Sequence, residues 1–210
     1  MSMASRRESA RLYLVTPPVL DPGAIADDLA AALNAADIAA VLLRLADGSE
    51  RDLVARIAAL RILIQSNGAA LLLDGYPQLV AQAEADGAHL AGADALKAAG
   101  PALKPNYIAG CGALSSRHDA MLAGETGADY VMFGEPDVEG HRPRLEAILE
   151  RVGWWADVMT IPCVGYAARL DEIVPLAQAG AEFVALSEEI WRSDMRAAVD
   201  ALAPVPEPVR

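Results

Sequence analysis

The sequence predicts an α/β protein that folds as a single (β/α)8 TIM barrel. Two observations predict this class: short apolar runs alternate with helix-like stretches along the chain, and the connections between them are short. The composition agrees, because 54% of the 210 residues are hydrophobic and only 5% are aromatic. The apolar residues are therefore mostly Ala, Leu, Val and Ile, the mixture expected of Ala-rich helices packed on buried parallel strands.

Eight apolar runs are predicted as strands, and a helix-like stretch follows each of them. The predicted strands are Arg11–Thr16, Ala39–Arg44, Ala69–Asp74, Gly87–Leu90, Asn106–Gly110, Ala128–Gly134, Thr160–Gly165 and Glu182–Ser187. The predicted helices are Ala24–Ala36, Glu50–Gln65, Pro77–Ala85, Asp94–Ala99, Ser115–Glu125, Pro143–Trp155, Arg169–Ala179 and Glu189–Leu202. Eight such pairs with short connections fit a closed barrel better than an open doubly wound sheet.

Glycines mark the ends of three of these helices. Gly68, Gly127 and Gly180 each follow a helix and precede a strand, where a left-handed C-cap residue is wanted. We expect one domain over residues 1–210, with its core at about 11–202 and a Pro-rich tail at 203–210.

Charge and hydropathy exclude several classes of partner. The formal net charge is −12, which repels a phosphate backbone, so we expect no nucleic acid partner. No charge-free apolar run is long enough to cross a membrane, and the first residues lack the apolar core of a signal peptide. We therefore expect a cytoplasmic protein without a membrane partner. The three tryptophans are expected to pack helices or an interface, so a homodimer stays possible.

Chemistry in a barrel of this kind lies at the C-terminal ends of the strands and in the loops after them. The residue types there that carry chemistry are Thr16, Arg44, Asp74, His89, Asp94, Cys111, Glu135, Arg142, Tyr166 and Ser187. Asp74 and Asp94 follow the ends of two successive strands, so they lie on the same rim. They either bind a divalent metal such as Mg²⁺ or act as N-caps of the next helices. A strand-interior histidine such as His89 is more often structural than catalytic.

The order of motifs resembles the thiamine phosphate synthase family and its thiazole tautomerase relative. LYLVTPP, a strand ending in Arg44, LLLD, ADGAHLAGAD, GADYVMFG, IPCVG and AGAEFVALS occur in this order across about residues 11–190. The resemblance implies a (β/α)8 enzyme that joins an aminopyrimidine diphosphate to a thiazole phosphate. Diphosphate is released, and Mg²⁺ neutralises the charge on this leaving group.

The resemblance also implies roles for individual residues. Asp74 and Asp94 fall on the two metal positions, the second five residues after His89 as in the family motif G-V-H-L-G-Q-x-D. Arg44 falls on the arginine of the motif Q-x-R-x-K, and Arg142 falls on the lysine of the loop motif T-x-T-K. Ser187 keeps the family serine after strand eight. We therefore assign Arg44, Arg142 and Ser187 to substrate and diphosphate binding, and a small phosphorylated heterocycle is the expected ligand.

Several ligand-facing positions depart from the family pattern together. Polar or glycine residues of the family are replaced at Leu42, Leu73, Ala46, Gly112, Ala167 and Ala168. Glu188 and Glu189 follow Ser187 and repel a bound dianion at a helix N-terminus. We therefore hypothesise that thiazole phosphate does not bind in the usual way. Arg142 and Arg169 are candidates to replace lost phosphate contacts.

Two functions from different classes follow from this pattern. The first is a thiamine phosphate synthase-like enzyme of thiamine biosynthesis, a transferase with Mg²⁺ and with an altered active site. The second is a non-catalytic barrel that binds a small ligand or a protein partner. A third hypothesis is a tautomerase-like isomerase, which we rank last. Such an enzyme needs an acid/base histidine after strand five, and the matching position is Leu114.

Overall fold

The chain forms a closed barrel of eight parallel strands, so the predicted fold class is confirmed. A computed structural model describes residues 10–137 and 139–202. In these residues each strand pairs with the strands before and after it, and β8 closes the barrel against β1. The strands are β1 (Arg11–Val15), β2 (Ile38–Leu43), β3 (Ala70–Asp74), β4 (Gly87–Ala91), β5 (Ile108–Gly112), β6 (Tyr130–Phe133), β7 (Cys163–Ala167) and β8 (Phe183–Leu186).

Helices cover the outside of the barrel. They are α1 (Gly23–Ala35), α2 (Glu50–Ser66), α3 (Ala93–Leu103), α4 (Arg117–Thr126), α5 (Leu145–Val158), α6 (Ile173–Ala179), α7 (Glu188–Ser193) and α8 (Met195–Leu202). The predicted Pro-rich tail at 203–210 lies outside the described residues.

Two strands, β5 and β7, are shifted as a whole toward the C-terminus from their predicted bounds, for local reasons. The segment before β5 is held in a turn, because the Tyr107 backbone N–H donates to the Leu103 carbonyl at the end of α3. Before β7, Pro162 has no N–H to donate, and the Cys163 N–H donates to the Glu182 side chain instead. β5 and β7 are therefore displaced toward the C-terminus by about two residues.

The predicted helix Pro77–Ala85 is wrong beyond its first turn. Only a 3-10 turn over Pro77–Leu79 forms, and Glu84 then adopts a positive φ of 53° that helix continuation does not allow. The last predicted helix is broken at Asp194 into α7 and α8. The glycine C-caps are confirmed, since Gly68, Gly127 and Gly180 all have positive φ.

The barrel interior determines the shape of the mouth. One apolar cluster lies between strands and helices, and a second one fills the barrel. β5 contributes Gly110 and Gly112 at positions where a Cβ would overlap side chains of neighbouring strands. The aromatic ring of Tyr130 takes the space next to Gly110. At these two positions β5 therefore gives the interior no side chain, and Tyr130 of β6 and His89 of β4 take up the space, while Ile108 at the start of β5 packs against the interior cluster.

Candidate functional site at the mouth of the barrel

A small cavity lies at the C-terminal ends of the strands, where the sequence predicts the site. Its volume is about 40 Å³, and its lining residues are Val15, Leu42, Arg44, Asp74, His89, Met132, Glu135 and Tyr166. A larger cavity of about 310 Å³ lies beside it, between the loops after β5 and β6. The two cavities share Met132 and Glu135 as wall residues. Five of the candidate residues from the sequence thus come together: Arg44, Asp74, His89, Glu135 and Tyr166.

Arg44 and Asp74 form an ion pair in this mouth. Arg44 Nε donates to Asp74 Oδ2 at 3.1 Å, and about a third of each side chain is exposed. The Arg44 backbone N–H donates to the hydroxyl of Thr16, which is buried at the end of β1. Since a single contact joins the two charged groups, the guanidinium keeps Nη1 and Nη2 for other acceptors.

Asp94 lies on the neighbouring element, in the first turn of α3, and is exposed. Gly92 is the N-cap residue of α3, and Tyr76 holds that position in the 3-10 turn after β3. The alternative that Asp74 and Asp94 are N-caps is therefore wrong, although Asp94 is still placed favourably toward the helix dipole.

The donor set on this rim suits Mg²⁺ rather than a soft metal. Its protein ligands would be two carboxylates, and Mg²⁺ completes its octahedron with water and phosphate oxygens. In residues 10–137 and 139–202 no group of three or more His, Cys, Asp and Glu side chains could hold a metal by itself. Binding at this rim would therefore depend on oxygens that a phosphorylated ligand brings.

Arg142 lies on the opposite side of the mouth and has several protein partners. Its Nη1 contacts both carboxylate oxygens of Glu172 at 2.9 Å, Nε donates to the Gly134 carbonyl, and Nη2 donates to the Tyr166 carbonyl. Glu172 is only 3% exposed, and it also accepts a hydrogen bond from the Ala168 backbone N–H. The loops after β6 and β7 are thus tied to the start of α6.

Ser187 lies on the same side of the mouth as Arg142 and Glu172. It is buried, its hydroxyl donates to the Ala168 carbonyl at 3.2 Å, and its backbone N–H donates to the Ala167 carbonyl. Glu188 and Glu189 form the first turn of the short helix α7 directly after it. Arg169 points away to an exposed ion pair with Asp171. These are the two loops where barrels often bind phosphate. Here they contain the carboxylates of Glu172, Glu188 and Glu189, and Ser187 bonds to the backbone of the loop after β7.

Glu135 is a site residue whose place the sequence indicated but whose role it did not. Its Oε1 accepts a hydrogen bond from the Ala113 backbone N–H and lies 3.6 Å from His89 Nε2. His89 Nδ1 hydrogen-bonds to the Tyr130 hydroxyl at 2.9 Å, in line with its predicted structural role. The Tyr130 hydroxyl also contacts the Tyr13 hydroxyl at 3.0 Å. A chain of hydrogen-bonding groups therefore runs from the barrel interior to the mouth.

Burial changes the acidity of this interior. Desolvation raises the pKa of the Tyr13 and Tyr130 hydroxyls well above the usual tyrosine value, and the charges of Asp74 and Glu135 act in the same direction. Desolvation also raises the pKa of Tyr166, although Arg44 and Arg142 partly oppose it. The tyrosines are therefore neutral hydrogen-bonding groups at neutral pH.

These features define a class: a (β/α)8 barrel with carboxylates and arginines gathered at the C-terminal ends of its strands. The family model described as thiamine monophosphate synthase matches residues 12–190. The chain is 41% identical to the thiamine-phosphate synthase of Rhodospirillum centenum over 184 residues, which cover 86% of this chain and 89% of that protein. It therefore belongs to the thiamine monophosphate synthase family and is a thiamine phosphate synthase-like protein.

Other comparisons agree with this assignment. The thiamine-phosphate synthase of Hyphomonas neptunium is 38% identical, with 91% of this chain and 90% of that protein covered. The solved structure of thiamine phosphate pyrophosphorylase from Pyrococcus furiosus has the same fold, with a TM-score of 0.74 at 24% identity over 93% of this chain and 95% of that one. No helix in the described ranges has the length and apolar character needed to cross a bilayer.

Proposed function

We propose that this protein is a divergent transferase of the thiamine-phosphate synthase type. It would join an aminopyrimidine diphosphate to a thiazole phosphate: the thiazole nitrogen forms a bond to the pyrimidine methylene carbon, and the bond from that carbon to diphosphate breaks. The observation that carries the proposal is the pairing of Arg44 with Asp74 at the ends of β2 and β3, within a chain that matches the family over residues 12–190.

Asp74 and Asp94 would hold Mg²⁺, which supplies neutralisation of the charge on the departing diphosphate. Asp74 and Glu135 face the cavity against the single cation Arg44 among its described wall residues. A diphosphate would meet net negative charge there, so a metal requirement agrees with the charges of the wall. Arg44 would contact diphosphate oxygens through Nη1 and Nη2, since only its Nε contacts Asp74.

Two further residues, Arg142 and Ser187, belong to the proposed site. Arg142 is proposed to contact diphosphate, which requires that it give up part of its bonding to Glu172 or to the carbonyls of Gly134 and Tyr166. Ser187 is proposed to position the loop after β7, because its hydroxyl contacts the Ala168 carbonyl. The protein would act in the cytoplasm, as expected for a soluble biosynthetic enzyme.

The test is formation of thiamine phosphate by the purified protein with both substrates and Mg²⁺. We expect turnover that Asp74→Asn abolishes and that Asp37→Asn leaves unchanged. Asp37 is a matched control, because it also pairs with an arginine, Arg11, but lies before β2 at the other end of the barrel. Absence of turnover by the unaltered protein, or turnover that persists in Asp74→Asn, would overturn the proposal.

One observation favours a second candidate, a non-catalytic barrel that binds a small ligand. Arg142 contacts Glu172 and two backbone carbonyls, and Glu172 takes up the Ala168 N–H, so the loop after β7 satisfies its polar groups internally. Thermal unfolding in the presence of diphosphate, with and without Mg²⁺, separates the candidates. Stabilisation by Mg²⁺ that is lost in Asp74→Asn supports the transferase, whereas no effect of Mg²⁺ on stability together with no turnover supports the binding barrel.

A further inference from the structure

The side chain of Glu135 holds an oxygen that the protein does not satisfy. Glu135 follows Gly134 just after β6, and its Oε1 accepts from the Ala113 backbone N–H. Its Oε2 is buried and has no hydrogen-bond partner among the described residues. Leaving a buried carboxylate oxygen without a donor is costly, and native structures rarely do so without a ligand or an ordered water.

The neighbours of Glu135 hold the carboxylate in one place. A Cβ at position 112 would overlap both Glu135 Oε1 and His89 Nε2, so only glycine leaves room for them. His89 is itself fixed by the Tyr130 hydroxyl on its other ring nitrogen. The Ala113 N–H, the imidazole and Gly112 together determine the direction of the carboxylate. Its free oxygen is therefore oriented in advance of any ligand.

The surroundings indicate what kind of group the free oxygen accepts. Glu135 belongs to the walls of both cavities, and Leu42 and Met132 give the smaller cavity apolar walls. An acceptor beside apolar walls fits a flat ring that carries an N–H donor. Position 42 lies on β2, across the barrel from β6, and the polar residue that the family has there is replaced by Leu42.

We infer that Glu135 Oε2 accepts a hydrogen bond from the exocyclic amino group of a bound aminopyrimidine. Glu135 is thus a specificity-determining residue that supplies, from the wall at β6, a polar contact that the wall at β2 no longer makes. The inference rests on the proposed function and adds to it the residue that recognises the ring.

The test measures binding of a 4-aminopyrimidine without phosphate groups, by calorimetry, in the absence of Mg²⁺ and of any thiazole. The comparison ligand is the same ring with hydrogen in place of the amino group. We expect the unaltered protein to prefer the amino compound by roughly tenfold or more, because the acceptor is charged. In Glu135→Gln this preference is expected to fall to near unity, since the amide carries no charge and presents only one acceptor oxygen.

Two further variants complete the design. Glu139→Gln is the matched control, because Glu139 lies on the same loop but is exposed, and it should keep the full preference. Gly112→Ala should remove the preference by displacing the Glu135 carboxylate, with a melting measurement to show that the variant is folded. Equal binding of both rings by the unaltered protein, no binding of either, or an unchanged preference in Glu135→Gln overturns the inference.

The binding test and the turnover test can fail separately. A Glu135-dependent preference without thiamine phosphate formation would retain the inference and reject the transferase. Turnover whose KM for the pyrimidine substrate is the same in Glu135→Gln would retain the transferase and reject the inference.

Discussion

The two sides of the barrel mouth treat their charged groups differently. At the ends of β2 and β3, Arg44 and Asp74 share one contact, and their side chains are 34% and 37% exposed. At the ends of β6 and β7, the Glu172 side chain is 4% exposed, and Arg142 uses Nε, Nη1 and Nη2 in bonds to the protein. The first side, called the accessible side, leaves its charges open to a ligand. The second, called the closed side, neutralises its charges through contacts within the protein.

The difference indicates which side of the mouth can still bind a ligand as the family resemblance implies. We propose metal and diphosphate roles for residues at the accessible side, where a single contact to Asp74 leaves Arg44 Nη1 and Nη2 open to a ligand. Residues at the closed side fall on phosphate positions, but Glu172 already takes the Arg142 guanidinium and the Ala168 N–H that an anion would need. We therefore expect a phosphorylated ligand to gain more from contacts at the ends of β2 and β3.

The largest expected effect on stability comes from removing the Arg142–Glu172 ion pair of the closed side. Replacing Glu172 by Gln leaves the Arg142 guanidinium mostly buried without its counter-charge, so we expect a loss of about 3 kcal/mol in the free energy of unfolding. Denaturant unfolding at neutral pH measures this loss. A loss below about 1 kcal/mol would mean that the ion pair of the closed side stabilises the protein no more than that of the accessible side.

An intermediate effect is expected from alkaline pH, which acts on the barrel interior beneath both sides. Burial raises the pKa values of Tyr13, Tyr130 and Tyr166 in the folded protein, so folding favours their protonated forms. Their contribution to stability is complete below the unfolded tyrosine value of about 10 and is lost as the pH rises above it.

Denaturant unfolding from neutral pH to about pH 11, with phenolate absorbance recorded in parallel, checks this expectation. The Tyr13→Phe variant should show a weaker decline with pH, because it removes one of the titrating groups. Ionisation of all five tyrosines in the folded protein would show instead that water reaches the interior.

The smallest expected effect on stability comes from the accessible side, at the ends of β2 and β3. Asp74→Asn removes an ion pair that is about one-third exposed, so we expect less than about 1 kcal/mol of lost stability without Mg²⁺. The same denaturant measurement compares it directly with Glu172→Gln. A loss equal to that of Glu172→Gln would remove the contrast between the two sides.

The sequence predicts the barrel well, because the regular alternation of buried strands and helices is a local pattern. Strand bounds fail by about two residues where Pro162 lacks a donor and where Tyr107 bonds back to α3. The prediction of a helix over Pro77–Ala85 fails because its helical propensity yields to backbone turns at Tyr76 and Glu84, both with positive φ.

The sequence predicts the site only in part. Strand ends locate Arg44, Asp74 and Glu135, because position in a barrel strand determines which rim a residue occupies. Partner choice is not local: Glu172 reaches Arg142 over 30 positions, and Glu135 meets Ala113 over 22. The charge run after Ser187 indicated a weakened phosphate site, but nothing in the sequence identified Glu172 as the carboxylate that occupies it.

Gly112 has a consequence for how independently the mouth of the barrel can be altered by substitution. Because a Cβ at position 112 would overlap the Glu135 carboxylate and the His89 ring, any side chain there requires one of these groups to move. The present position of the Glu135 carboxylate likewise depends on glycine at position 112. The two positions are therefore coupled, and we expect the effects of substitutions at 112 and 135 to be non-additive.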